Sequence, residues 1–234
     1  MFKKMDKKMV WGIIKNVIIT FVSLFLQAAI FFAFAGRLDI PRGWLLYGLG
    51  FIYACLNTAL FLKYCPELLA ERGEIKPSLK AWDIAFWVLY FLMILVLPAV
   101  AGFDVGSSPL SQLGLGPAFV GTALFIFAGI LSTWALLENR FFELTIHIQK
   151  ERHQYVVATG PYALVRHPIY ASIVFTCIAE PLMLGSFYAL ACSAIILVLF
   201  VIRTVIEDSI LQKELKGYKG YAKKVKYRFI PSVW

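Results

Sequence analysis

The sequence predicts an all-α, polytopic integral membrane protein with about six transmembrane helices, and three observations carry that prediction. Of the 234 residues, 60% are hydrophobic and only 16% are charged, where a soluble domain averages about 25% charged. Charge-free runs long enough for a hydrocarbon core of roughly 30 Å recur along the chain. Lysine and arginine collect in alternate connections, as the positive-inside rule requires.

The first run, 16–36, follows a segment with five lysines. It is too long for a signal-peptide core of roughly 7–15 residues, and cleavage would leave an odd number of spans. The runs at 43–62, 84–103 and 118–137 repeat the pattern, with Pro98 and Gly102 expected to bend or end the third. Gln27 and Asn57 lie inside spans, where interhelical hydrogen bonds are the ordinary explanation. The stretch 168–202 carries Gly185-Ser186 near its middle, a turn signal. It reads as a hairpin of two short helices, 169–184 and 187–202. The chain thus divides into a four-helix region, 1–137, and a second part, 138–234, holding a cytosolic linker, the hairpin and a cytosolic helix and tail.

With the amino terminus inside, the inner segments hold 21 of the 23 Lys and Arg residues, and the outer loops hold only Arg37 and Arg42. Both termini are therefore expected in the cytoplasm. The net charge of +9 reflects this asymmetry and attraction to anionic lipid, and a nucleic-acid partner is not expected. Cys55, Cys65, Cys177 and Cys192, like His147, His153 and His167, show no metal-ligand spacing, so no metal is expected.

After 137 the chain changes character. Phe141, Phe142, Leu144, Ile146 and Ile148 stand among charges, so the fourth helix is expected to extend and then lie along the interface. Gln154-Tyr155-Val156-Val157 reads as extended. Beyond Ile202 the apolar residues keep helical spacing, so the sixth helix should continue into the cytoplasm, followed by a surface-bound tail.

The chemistry concentrates in Thr159-Gly160-Pro161-Tyr162-Ala163-Leu164-Val165-Arg166-His167-Pro168-Ile169-Tyr170. Pro168 favours an extended approach followed by a first helical turn, which puts Arg166 and His167 where a membrane helix meets water. Each arm of the hairpin has about sixteen residues, or roughly 24 Å at 1.5 Å per residue. Equal arms place their two bases at one depth, so Arg166-His167-Pro168 and Arg203/Glu207 should be neighbours. Arg203 and Glu207, four apart, share a helix face and also suit a simple helical ion pair or snorkelling of the arginine. Tyr162 and Tyr170 also suit an interfacial aromatic belt, and Glu180, before Pro181, is expected exposed at the outer interface.

Gly160-Pro161-Tyr162, Val165-Arg166-His167-Pro168, Tyr170, Arg203, Glu207-Asp208, Leu211 and the tail Tyr218, Tyr221, Val225, Arg228-Phe229-Ile230-Pro231 resemble the isoprenylcysteine carboxyl methyltransferase family, related to the membrane phospholipid methyltransferases. The resemblance runs from about Asn139 to Trp234 and includes Ile148-Gln149-Lys150-Glu151-Arg152. It implies S-adenosyl-L-methionine as methyl donor, bound at the cytosolic face. By position, Gln149, Gln154, Tyr155, Val156, Val157, Tyr162, His167, Pro168, Ile169, Tyr170 and Glu207 would line the cofactor pocket, and Arg203 would orient the methyl acceptor. One departure stands out: the family usually has histidine where this chain has Gln154, with His153 beside it. Glutamine keeps both donor and acceptor capacity.

An activated sulfonium donor needs an acceptor that is placed and desolvated, so alignment supplies most of the catalysis. A carboxylate acceptor could be held by the fork of N–H donors on Arg203. The acceptor is expected to be lipophilic and to enter from the bilayer; whether it offers a carboxylate, an amine or a thiol stays open, as does oligomeric state. Two other classes remain: an NADPH-dependent membrane sterol-type reductase, whose carboxyl-terminal half is similar, and a non-catalytic lipid-binding protein.

Overall fold

The computed structural model describes residues 6–72, 81–107, 113–143 and 148–234. Leu144, Ile146 and His147, with part of the amino-terminal lysine cluster and the lysines at 76 and 80, lie outside the described residues. The described chain is helical: α1 (Lys7–Ala35), α2 (Pro41–Tyr64), a seven-residue α3 (Pro66–Arg72), α4 (Ala81–Ser107), α5 (Leu115–Glu138), α6 (Pro168–Leu184), α7 (Phe187–Glu214) and α8 (Tyr218–Lys224). Five of these, α1, α2, α4, α5 and α7, are long and apolar enough to cross a membrane, and α6 is a shorter apolar helix. Val22, Phe25, Phe91, Phe119 and Ile130 are each more than half exposed on the bundle surface. An apolar exterior of this kind suits lipid, not water.

Helix α4 continues past Pro98 and Gly102 to Ser107, so the span does not end there. The glycine serves packing instead: a side chain at Gly102 would collide with the Phe31 carbonyl oxygen of α1. Helix α5 ends at Glu138 without the expected extension. There the Asn139 side chain accepts from Phe141 N at 3.0 Å, a local bond that competes with continuing the helix. Asn57 does bridge helices as expected, donating to Thr133 Oγ1 of α5 at 2.7 Å.

Helices α6 and α7 form the hairpin, turning at Gly185 (φ +81°), a left-handed conformation that suits glycine. Ser186 then caps α7, accepting from Ala189 N at 3.1 Å and donating to buried Asp104 of α4 at 2.6 Å. Helix α6 lies against α5, α2 and α7. A Cβ at Gly121 of α5 would stand only 2.8 Å from the Ala179 carbonyl oxygen of α6, so the absence of a side chain sets how closely these helices approach. The face of α6 carrying Glu180 consequently turns inward. Glu180, expected at the outer interface, is partly buried and lines a cavity with Tyr47 of α2 and Phe125 of α5.

The tail is not simply surface-bound. Arg166 N donates to the Tyr227 carbonyl and His167 N to the Arg228 carbonyl, both at 2.9 Å, while Phe229 joins the main core. Backbone donors just ahead of a proline have no helical partner of their own, and the tail supplies one.

Candidate active site

The site is built at the foot of the hairpin. Gly160, at φ +56°, opens a 3₁₀ turn, Gly160–Ala163, which is tied to α5 by the Thr159 hydroxyl donating to Glu138 at 2.8 Å. Within that turn Tyr162 accepts from Asn139 Nδ2 at 3.2 Å, and its carbonyl accepts from the Tyr221 hydroxyl at 2.7 Å. Pro168 starts α6 as predicted. The ring of His167 lies parallel to that of Tyr170, centroids 5.7 Å apart.

Helix α7 continues three turns past Ile202, and this extension meets the junction at the depth the equal arms predict. His167 Nδ1 lies 3.9 Å from Glu207 Oε1. The Tyr170 hydroxyl donates to Glu207 Oε2 at 2.5 Å and accepts from Arg203 Nε at 3.0 Å. A tyrosine hydroxyl thus stands between the two charges expected to face one another.

Asp208, one residue on, gathers most of the charge. Arg166 Nε approaches it at 3.0 Å, Arg228 at 3.3 Å and His167 Nε2 at 3.5 Å. Gln212 and the Tyr218 hydroxyl each donate to it at 3.0 Å. Burial, with the Asp208 carboxylate alongside, pushes the Tyr218 phenol far above its ordinary value, so it remains a neutral donor. Burial likewise raises the phenols of Tyr162 and Tyr221.

A cleft opens beside this cluster. Gln149, Gln154, Tyr155, Val156, Val157, Tyr162, His167, Ile169, Tyr170 and Glu207 all line it, which brings most of the predicted site residues into one place. Gln154 meets its neighbour directly, its side-chain oxygen accepting from Gln149 N at 2.8 Å. Pro168 and Arg203 are not on the cleft wall. Pro168 is buried at the start of α6. Arg203, 1% exposed, sits behind Tyr170, donating to Asp83 Oδ1 at 3.0 Å. Its guanidinium lies 4.5 Å from the ring of Phe86, 5.0 Å from Trp87 and 5.7 Å from Trp82.

The cleft also takes Asn139, Phe141, Phe142, Glu143, Arg166, Leu211, Leu215, Tyr218 and Tyr221, which the sequence reading did not assign to the cofactor pocket. For two of these a signal was present: Leu211 and Leu215 follow Glu207 at intervals of four, on the same face of the helix. Glu143 and Phe141 had none, since their approach depends on the turn at Asn139.

The profile of the isoprenylcysteine carboxyl methyltransferase family matches residues 121–213, from within α5 to the last turn of α7, and stops short of the tail. A structure of the eukaryotic intramembrane Ras methyltransferase of that name, without a monobody, superposes with a TM-score of 0.53 at 19% identity, covering 90% of this chain and 74% of that one. At this identity the likeness concerns the fold. No curated protein matches. The junction, the hairpin and the Arg203–Glu207 face all lie inside the stretch that resembles the isoprenylcysteine carboxyl methyltransferase family.

Proposed function

We propose that this protein transfers a methyl group from S-adenosyl-L-methionine to a lipophilic acceptor at the cytosolic face of a membrane, with both termini on that side. The observation that supports this most is the cleft at the base of the α6–α7 hairpin, where a membrane-spanning hairpin meets a water-facing wall. The donor is a methylsulfonium whose amino-acid tail carries an ammonium and a carboxylate, and when bound it supplies an already activated methyl group. The residues suit that chemistry. Glu143 and Glu207 offer carboxylates, and Tyr155 and Phe141, with centroids 5.0 Å apart, offer aromatic faces for a nucleobase. Gln149 and Gln154 add amides.

The chain's own contribution is placement. Asp208 holds Arg166, Arg228 and His167 together, fixing α7 against the junction and the tail. Tyr170 holds the Glu207 carboxylate toward the cleft. Arg203, locked behind it, positions Tyr170. The cleft measures about 90 Å³, below the roughly 300 Å³ usual for a small-molecule site, so the donor would widen it on binding.

Equilibrium binding of radiolabelled donor to purified protein in detergent tests this reading. Saturable binding, weakened at least tenfold by Glu207→Gln, is expected. Saturable binding of NADPH with none of the methyl donor would sink it.

A further inference from the structure

We infer that the bundle holds a second, separate ligand site, for one long-chain carboxylate, in the cavity between α1, α2, α4, α5 and α6. The inference does not depend on the methyl-transfer reading. The cavity measures about 440 Å³, in the lower half of the roughly 300–1,000 Å³ range of small-molecule sites, which suits one alkyl chain and not two. It shares no lining residue with the cleft at the foot of the hairpin, and no described residue of α7 lines it. Ile19 lines it and is also 59% exposed on the bundle surface. The cavity therefore opens sideways beside α1, where a chain dissolved in the bilayer can enter.

Arg72 gives the cavity its positive end. Gly12 of α1 lets α3 fold onto that helix, because a side chain there would collide with the Ala70 carbonyl oxygen. Asn16 of α1 then donates to the Leu69 carbonyl at 3.0 Å, and Arg72, partly buried, lines the cavity. Its neighbour Glu71 is engaged by Arg152 at 2.5 Å, and no described carboxylate pairs with Arg72. Burial lowers the pKa of its guanidinium, while Tyr53 acts to raise it. A desolvated cation without a counter-ion is costly, and its fork of donors fits a carboxylate. One cation matches one negative charge, whereas a phosphate monoester would bring about −1.5 to −2 and leave a surplus.

The rest of the wall fixes how the chain lies. Leu69 and Leu136 pack with Tyr162 and Ile169, so the Arg72 end is on the side of the bundle where the hairpin has its foot. Glu180 also lines the cavity, and from Pro168 to Glu180 the helix α6 rises roughly 18 Å at 1.5 Å per residue, which puts Glu180 at the far end. An anionic head is disfavoured beside that carboxyl group and is directed to Arg72, with the chain along Leu24, Leu46, Leu97 and Leu184. Thr20, Ser23 and Gln27 recur on the cavity face of α1, yet their hydrogen bonds stay within that helix. They do not tie α1 to a neighbour across the gap, as Asn57 ties α2 to α5, and this face is left open to a ligand.

The test titrates hexadecanoate, hexadecanol and acetate into the purified full-length protein in detergent, in alkaline buffer, and reads binding by calorimetry. Hexadecanoate is expected to bind at least tenfold tighter than either of the others. Arg72→Gln should remove that preference and Arg72→Lys, which keeps the charge, should retain most of it, with binding of radiolabelled methyl donor unchanged in both. Hexadecanoate carrying a photoreactive diazirine on its chain should label α1 or α2, located by mass spectrometry of the fragments. Equal binding of acid and alcohol, acetate binding as tightly as hexadecanoate, or labelling confined to the wall of the hairpin cleft overturns the inference. So does full hexadecanoate affinity in a folded Arg72→Gln protein; should that variant fail to fold, the comparisons on the unaltered protein decide. None of these results bears on methyl transfer, which the donor-binding measurement tests separately.

Discussion

Replacing Asp208 should do more damage than replacing any other polar residue of the site, because one buried carboxylate answers two arginines and lies beside a histidine. Its side chain is 2% exposed and that of Arg166 6%, whereas Arg228 is 28% exposed and partly screened by water. Removing one partner of a buried pair costs about 3–5 kcal/mol, since the other charge is left uncompensated. The neutral hydroxyl of Tyr218 would also lose its acceptor, worth roughly 1–3 kcal/mol if it remains buried. Asp208→Asn keeps an oxygen for Tyr218 and removes only the charge, so it should cost about 3 kcal/mol; Asp208→Ala should cost more. For a chain of this size about 3 kcal/mol corresponds to a fall in melting temperature of roughly 6–12 °C. The assay is thermal unfolding in detergent, with donor binding measured on the surviving fold. Arg166, His167 and the tail lose their common anchor, so binding should weaken in step with stability. If Asp208→Asn melts within a degree of the unaltered protein, the carboxylate does not hold the junction, the tail and α7 together, and the placement of Glu207 must have another source.

Tyr170→Phe removes the hydroxyl between Arg203 Nε and Glu207, and a lost bond of about 2 kcal/mol corresponds to roughly 30-fold in methyl transfer; an unchanged rate with labelled donor would show that Glu207 needs no such support. Gly121→Val drives a side chain toward the Ala179 carbonyl oxygen and should destabilise by about 1–3 kcal/mol, seen as a lower unfolding midpoint; equal stability would mean that α5 and α6 can separate freely. Ser186→Ala removes the cap of α7 at the far end of the hairpin and should cost about 1 kcal/mol while leaving donor affinity untouched. Weaker donor binding in that variant would show that the two ends of the hairpin are coupled.

The spans, the hairpin and the meeting of its two bases were all legible before any coordinates, because each follows from local counting. Twenty apolar residues fill a bilayer whatever they pack against, and two arms of equal length end at one depth. The residues that line the cleft were legible where they lie in one continuous motif, as from Tyr162 to Tyr170, or on one helix face, as with Glu207. Asp83 was not. It lies 120 positions from Arg203, and nothing in the pattern of α4 says which neighbour its first turn will meet. Asp208 was quoted beside Glu207, but its role as the common partner of Arg166, His167 and Arg228 depends on the tail folding back onto the junction.

The sequence by itself determined that this is a membrane protein of helices, where its hairpin turns, and which twelve residues form the polar junction at its foot. Hydropathy, proline and glycine act within a few positions, so their consequences can be read along the chain. The tertiary structure alone decided which charges are satisfied: Asp83 closes over Arg203, Tyr170 comes between Arg203 and Glu207, and Asp208 pairs with both Arg166 and Arg228. Those outcomes follow from helix rotation and close approach in three dimensions, where moving a carboxylate a few ångströms changes which charge it neutralises.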